Sequence, residues 1–238
     1  GGVFGARVSR IDKEVTLAER QTIADSKREF HQAFPHVIAP LYRRLADELL
    51  VELHLLSHQT QFQTTPLFAV GLEMVFETFS QGFRPEDQQP QLFAALCSCN
   101  GFDPDQLRQT SKDCIASAAK QDIARAEKWT EAFKLADDAH YSRLMGVGLY
   151  RVMQSARGSA ESPDDQALRD QSVALAESLN FPKERVEKDL SQFAANSERM
   201  SQAVELLKET IASERRKKEQ RLAEKAQRNA SAPSTQSQ

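Results

Sequence analysis

LYRRLADELLVELHLLSHQTQF, Leu41 to Phe62, is the stretch that decides the fold class. Leu41, Leu45, Leu49, Leu53 and Leu56 recur at three- and four-residue steps, the spacing that lays an apolar stripe along one side of an α-helix. The same helix carries Asp47, Glu48, Glu52, His54 and His58. At about 100° per residue, Asp47, Val51, His54 and His58 share one narrow face, and Glu48 and Glu52 share another. Two readings follow. A metal ion can draw on Asp47, His54 and His58, with the helix supplying at most three ligands. Alternatively the helix is structural, with His54 half-buried near Asp47, and Glu48 and Glu52 solvated or paired with Arg44. No HExxH motif is present, nor the doubled ExxH set of a di-iron bundle.

The rest of the chain repeats the helical signature. A helix is predicted from about Thr22, with Asp25 in its first turn, to a stop before Pro35. The prolines at 35 and 40 in FPHVIAP mark an extended connector. Thr65 caps the next helix, with Pro66 in its first turn and an almost wholly apolar run from Leu67 to Phe79. Gln91 to Cys99 is another helix. Asn100 and Gly101 end it, Asp103 caps its successor and Pro104 sits in that helix's first turn. Ser111 to Ala139 is polar and alanine-rich and predicted helical with a break, with Trp129 and Phe133 as its contact points. Tyr141 to Ala156 is a second strongly apolar helix, RGSAESPDD a loop, and Gln166 to Leu179 helical.

Two of these pieces echo each other. FAVGLEMVF (68–76) matches MGVGLYRVM (145–153), and the segments that follow reach GFDPDQL and NFPKERV respectively. The match predicts two related helical units, roughly 66–110 and 143–190, whose glycines let the two central helices approach closely.

The C-terminal helix carries the most regular pattern. Val186, Leu190, Phe193, Ser197, Met200, Val204, Leu207 and Ile211 alternate four- and three-residue steps, a heptad seam with one polar break. The seam is expected to pack as far as about Ile211, either within the chain or between chains, the second arrangement making the protein a homo-oligomeric coiled-coil scaffold. Beyond it the sequence is charged all round, and Arg215, Arg216, Lys217, Lys218 and Arg221 form a basic group suited to an acidic protein or an anionic membrane surface. The fold class is therefore all-α, a multi-helix bundle with a long C-terminal coiled-coil-like helix. The domain plan is a flexible 1–21, a bundle over 22–190, an extended helix over 186–228 and a disordered 229–238.

Composition narrows the chemistry. The chain has 238 residues, a net charge of -3 and 27% charged residues, a balance that does not suggest a nucleic-acid binder. No run reaches the roughly 18 apolar residues that span a membrane. Three cysteines, Cys97, Cys99 and Cys114, read as small apolar thiols in a reducing compartment. There is no GxSxG elbow, phosphate-binding GxxxxGK[ST] loop or glycine-rich dinucleotide turn. GFRPED (82–87) reads either as an exposed loop offering Phe83 and Arg84 to a partner or as a tight connection between helices.

IADSKREFHQAFPHVIAPLYRRLADELLVELHLL resembles the opening of the thylakoid formation family, also called the photosystem II biogenesis protein 29 family. The likeness continues through PLFAVGLEMVFETFSQGFRPED, LFAALCSCNGFDPDQLR, HYSRLMGVGLYRVM and VEKDLSQFAANSERMSQAVELLKE, from about Thr22 to Arg221. It implies an all-helical, non-enzymatic factor, without cofactor, for thylakoid formation and photosystem II biogenesis and repair. It further implies an FtsH-type protease complex as partner, with photosystem II assembly components, at the cytoplasmic or stromal surface of the thylakoid membrane. No catalytic residue comes over with the resemblance.

Overall fold

The computed structural model describes residues 21–156 and 164–232, which contain helices and no β-strand. Residues 1–20 of the expected flexible stretch 1–21, most of the 157–165 loop and residues 233–238 lie outside the described residues. The helices are α1 (Ile23–Ala33), α2 (Pro40–Ser57), α3 (Pro66–Phe79), α4 (Gln88–Ser98), α5 (Pro104–Ala118), the short α6 (Ala126–Trp129), α7 (Arg143–Ser155), α8 (Asp165–Ala176) and α9 (Lys183–Ser231).

Local chemistry sets the helix starts. Thr22 and Asp25 form a reciprocal capping box: the Asp25 N–H donates to Thr22 Oγ1 at 3.2 Å and the Thr22 N–H to Asp25 Oδ2 at 3.1 Å. Thr65 Oγ1 accepts from the Phe68 N–H at 3.2 Å, and Asp103 Oδ1 from the N–H groups of Asp105 and Gln106 at 3.0 and 3.2 Å. Pro66 and Pro104 occupy the first helical positions, where a missing N–H costs nothing.

The polar, alanine-rich stretch is broken more fully than expected. α5 ends at Ala118, and a 3-10 turn (Ile123–Arg125), α6 and a second 3-10 turn (Thr130–Phe133) replace a long helix. Asp122 caps the first turn, and the Trp129 indole N–H donates to the Asp122 carbonyl at 2.9 Å. Trp129 and Phe133 are half-buried; Ala126, Thr130 and Leu135 are the buried side chains.

α3 and α7 form the centre. α5 packs on both, α8 packs on α7, and α1, α2 and α4 contact one another beside them. Leu67, Phe68, Val70 and Leu72 of α3, and Leu144, Met145, Leu149, Val152 and Met153 of α7, are almost wholly removed from water. Each such side chain contributes about 1.5–3 kcal/mol by burial. The close approach expected of the glycines is present. A Cβ on Gly71 would lie 1.7 Å from the Leu144 carbonyl oxygen, and one on Gly148 2.0 Å from that of Leu67.

The described chain divides into two compact units between Ala194 and Ala195. In the first, Val186, Leu190 and Phe193 are buried along the seam of α9. In the second, burial along the seam ends at Val204. Leu207 is 38% exposed and Ile211 50%, so the seam does not pack out to Ile211 as expected. The helix also continues through Asn229, Ala230 and Ser231, which were expected to be disordered. Alanine-rich sequence with alternating Glu and Lys/Arg sustains helix past the last apolar contact.

Candidate partner-binding surfaces

The histidine pair of α2 is built into the body of the protein. His54 is buried, and its Nδ1 shares a hydrogen bond with Ser26 Oγ of α1 at 3.0 Å. The His58 ring lies 4.4 Å from that of His54, and its Nδ1–H donates to the His54 carbonyl at 2.9 Å. Burial first, and charge on His58 second, hold the His54 pKa below its ordinary value. Asp47 does not join them. Among the described residues, no three His, Cys, Asp or Glu side chains are grouped to hold a metal ion. The shared face misled because azimuth is not distance: Asp47 and His54 are seven residues apart, roughly 10 Å along the axis. His54 therefore sits beside Ser26, not beside Asp47 as expected.

The carboxylates of α2 take separate partners. Glu48 pairs with Arg44 on the surface at 2.7 Å, as expected. Glu52 instead receives a two-pronged ion pair from Arg143 at the start of α7, with Nε and Nη2 at 2.6 and 2.7 Å. Nothing local in the sequence joins residues 91 positions apart. Tyr141 stands beside this pair. Its hydroxyl donates to Asp189 Oδ2 of α9 at 3.0 Å, and the Arg185 guanidinium covers its ring at 5.0 Å. Burial pushes the Asp189 carboxyl above its ordinary range, against the pull of Tyr141, Arg185 and Arg143.

The 82–87 loop corrects one expectation. Phe83 is 2% exposed and belongs to the core. Its ring meets Tyr42 edge-on at 5.1 Å and tilts against Phe34 at 6.5 Å. Gly82 at φ 75° makes the turn that drives the phenyl inward, and the Phe83 N–H donates to the Ser80 carbonyl at 3.0 Å. Of the two candidate residues, Arg84 stays on the surface, where it pairs with Glu86.

Arg215, Arg216, Lys217, Lys218 and Arg221 are all exposed on α9. Residues 205–232 carry eight Lys and Arg against five Glu, and Leu206, Leu207, Ile211 and Leu222 expose 38–65% of their surface among them. This segment is chemically a basic helix with scattered apolar side chains.

A second surface was not anticipated. Val51 and Leu55, 39% and 59% exposed, stand on the outer side of α2. With Asp47, Glu48, Glu52 and His140 they line an open groove of about 640 Å³. Leu55 falls outside the buried leucine stripe, and that departure is its only mark in the sequence.

The thiols are inert in this environment. Burial raises the Cys97 pKa to about 12 and those of Cys99 and Cys114 to about 11, so all three stay protonated at neutral pH.

Over the described residues the fold is all-helical, with an exposed basic stretch on α9 and an open groove on α2. Among the described residues no helix is long and apolar enough to cross a membrane. The model of the Thylakoid formation protein family matches residues 22–222, and the chain belongs to that family. Protein Thf1 of Synechococcus sp. (strain CC9902) is 61% identical over 215 residues, covering 90% of this chain and 100% of the relative. Protein Thf1 of Parasynechococcus marenigrum (strain WH8102) is 57% identical over 214 residues, with the same coverage. The solved structure of Psb29 at 1.55 Å superposes with a TM-score of 0.73 at 31% identity, covering 83% of this chain and 98% of that one.

Proposed function

We propose that this chain is a non-enzymatic factor for thylakoid membrane formation and for photosystem II biogenesis and repair. It acts by binding and stabilising an FtsH-type membrane protease complex, from the cytoplasmic or stromal side and at the periphery of the membrane. Membership of the Thylakoid formation protein family over residues 22–222 carries the reading. The contact surface assigned to it is the basic group Arg215, Arg216, Lys217, Lys218 and Arg221, with Arg84 as a second exposed cation. A cluster of exposed guanidinium and ammonium groups on a continuous helix suits an acidic protein surface beside an anionic membrane.

The test is protease abundance in photosynthetic cells lacking this protein and in the same cells given it back. Reduced protease, restored by the full chain, is expected. Unchanged protease with impaired photosystem II recovery would leave the biogenesis role and remove the protease from it.

A further inference from the structure

The groove on α2 and the tail of α9 share a pattern that does not depend on the protease reading. Along α2, Arg43, Asp47, Val51 and Leu55 form one ridge of four-residue steps, and all four are exposed. Along α9, Leu207, Ile211, Arg215 and Glu219 form another, also exposed throughout. Read in opposite directions the two ridges match position for position. Leu55 meets Leu207, Val51 meets Ile211, Asp47 meets Arg215 and Arg43 meets Glu219. Two apolar pairs are followed by two ion pairs of opposite polarity.

We infer that the α2 groove of one molecule receives the 207–219 segment of α9 from a second copy of this chain, packed antiparallel. Helices whose four-residue ridges lie side by side cross at about -50°, the commonest packing of globular helices. The groove offers what such a helix needs: an apolar floor at Val51 and Leu55, and a carboxylate one turn away at Asp47. Charge complementarity selects the occupant: Glu48 and Glu52 are held by Arg44 and Arg143, whereas Asp47 on the groove rim makes no ion pair among the described residues and faces a basic tail. The reversed Arg43–Glu219 pair fixes direction, because a parallel arrangement would not bring the two apolar pairs and both ion pairs into register. Docking would cover Arg215, so binding of a second copy and binding of an acidic partner at the basic group exclude each other.

The purified full-length chain, without any partner, tests this by sedimentation velocity across a wide concentration range at low and high salt. A concentration-dependent dimer that weakens in salt is expected. Asp47→Arg and Arg215→Asp should each abolish it, and the two combined should restore it. All these positions are exposed, so folding is checked by the thermal midpoint of each variant. Leu55→Cys with Leu207→Cys, in a chain carrying Cys114→Ser, should form a disulfide that doubles the mass under mild oxidation, whereas either alone should not, the native Cys97 and Cys99 being buried. A chain monomeric at every concentration overturns the inference. So does a Leu55→Cys/Leu207→Cys disulfide closed within one chain, or a dimer indifferent to Asp47→Arg and Arg215→Asp.

Discussion

Gly71 of α3 and Gly148 of α7 occupy matching places in a reciprocal contact. Gly71 abuts the carbonyl of Leu144, four residues before Gly148, and Gly148 abuts the carbonyl of Leu67, four residues before Gly71. Each helix thus approaches the backbone of the other through the same register. Any side chain at either position meets backbone atoms that cannot swing away. Gly71→Ala and Gly148→Ala are expected to destabilise by about 3 kcal/mol or more, the upper range of overpacking. Gly146→Ala would meet the Tyr141 hydroxyl at 2.6 Å, one side-chain atom rather than backbone, and should cost less. Urea denaturation midpoints of the three variants give the order.

Glu52 and Arg143 join α2 to the start of α7 by two hydrogen bonds in a half-buried setting. Arg143→Met leaves the Glu52 carboxylate short of its partner and should cost about 1–3 kcal/mol. Glu52→Gln combined with Arg143→Met should cost less than the sum of the single changes, by about 1 kcal/mol. A double-mutant cycle read by chemical denaturation supplies the coupling. Strict additivity would show that the pair contributes nothing.

His54 sets a pH dependence whose sign follows from its burial. The folded chain holds its pKa below the ordinary 6.5, so the unfolded chain takes up the proton first as pH falls. Stability from neutral His54 is complete above 6.5 and is lost progressively as pH drops toward the folded value. The denaturation midpoint should decline on acidification through this window. His54→Asn, which keeps a polar group beside Ser26, should flatten that part of the curve.

Thiol labelling reports the burial of the cysteines. In the native protein at neutral pH, Cys114 should react slowly and Cys97 and Cys99 more slowly still, because both are buried and their thiolates disfavoured. Mass spectrometry after timed alkylation separates them. Prompt modification of Cys97 would require the α4 region to open far more often than its packing implies.

The match between the two halves extends beyond the glycines. Thr65 and Ser142 both cap, as N-terminal partners of α3 and α7. Gly101 and Asn180 both adopt positive φ, 80° and 59°. The Phe102 N–H reaches the Cys97 carbonyl at 3.0 Å, and the Phe181 N–H the Ala176 carbonyl at 2.9 Å, five residues back in each case. On these matches we propose that 66–110 and 143–190 are copies of one unit. Superposition on Gly71/Gly148 should carry Gly101 onto Asn180, and a failure to do so would remove the idea.

What was legible in the sequence was local. Thr22, Thr65 and Asp103 declare helix starts because a cap and its partners lie within three residues. The leucine stripe of α2 declares its buried side for the same reason. The burial of Phe83 is not legible locally, because Gly82 and Pro85 mark a turn but do not say which way the intervening ring faces. That direction is set by Tyr42 and Phe34, 41 and 49 residues earlier in the chain. The Glu52–Arg143 pair and the Ser26–His54 bond are likewise invisible until the helices meet. The seam of α9 was read as packing farther than it does, since apolar spacing records what a face can bury and not where its cover ends.

We propose that the tail of α9 contacts the protease. Co-purification from solubilised photosynthetic membranes, using the full chain and a form ending at Ile211, tests it most directly. Recovery of FtsH-type protease with the full chain, and its loss from the shortened form, is the expected result. Equal recovery with both forms would contradict the assignment to Arg215–Arg221, and recovery with neither would contradict the partnership itself.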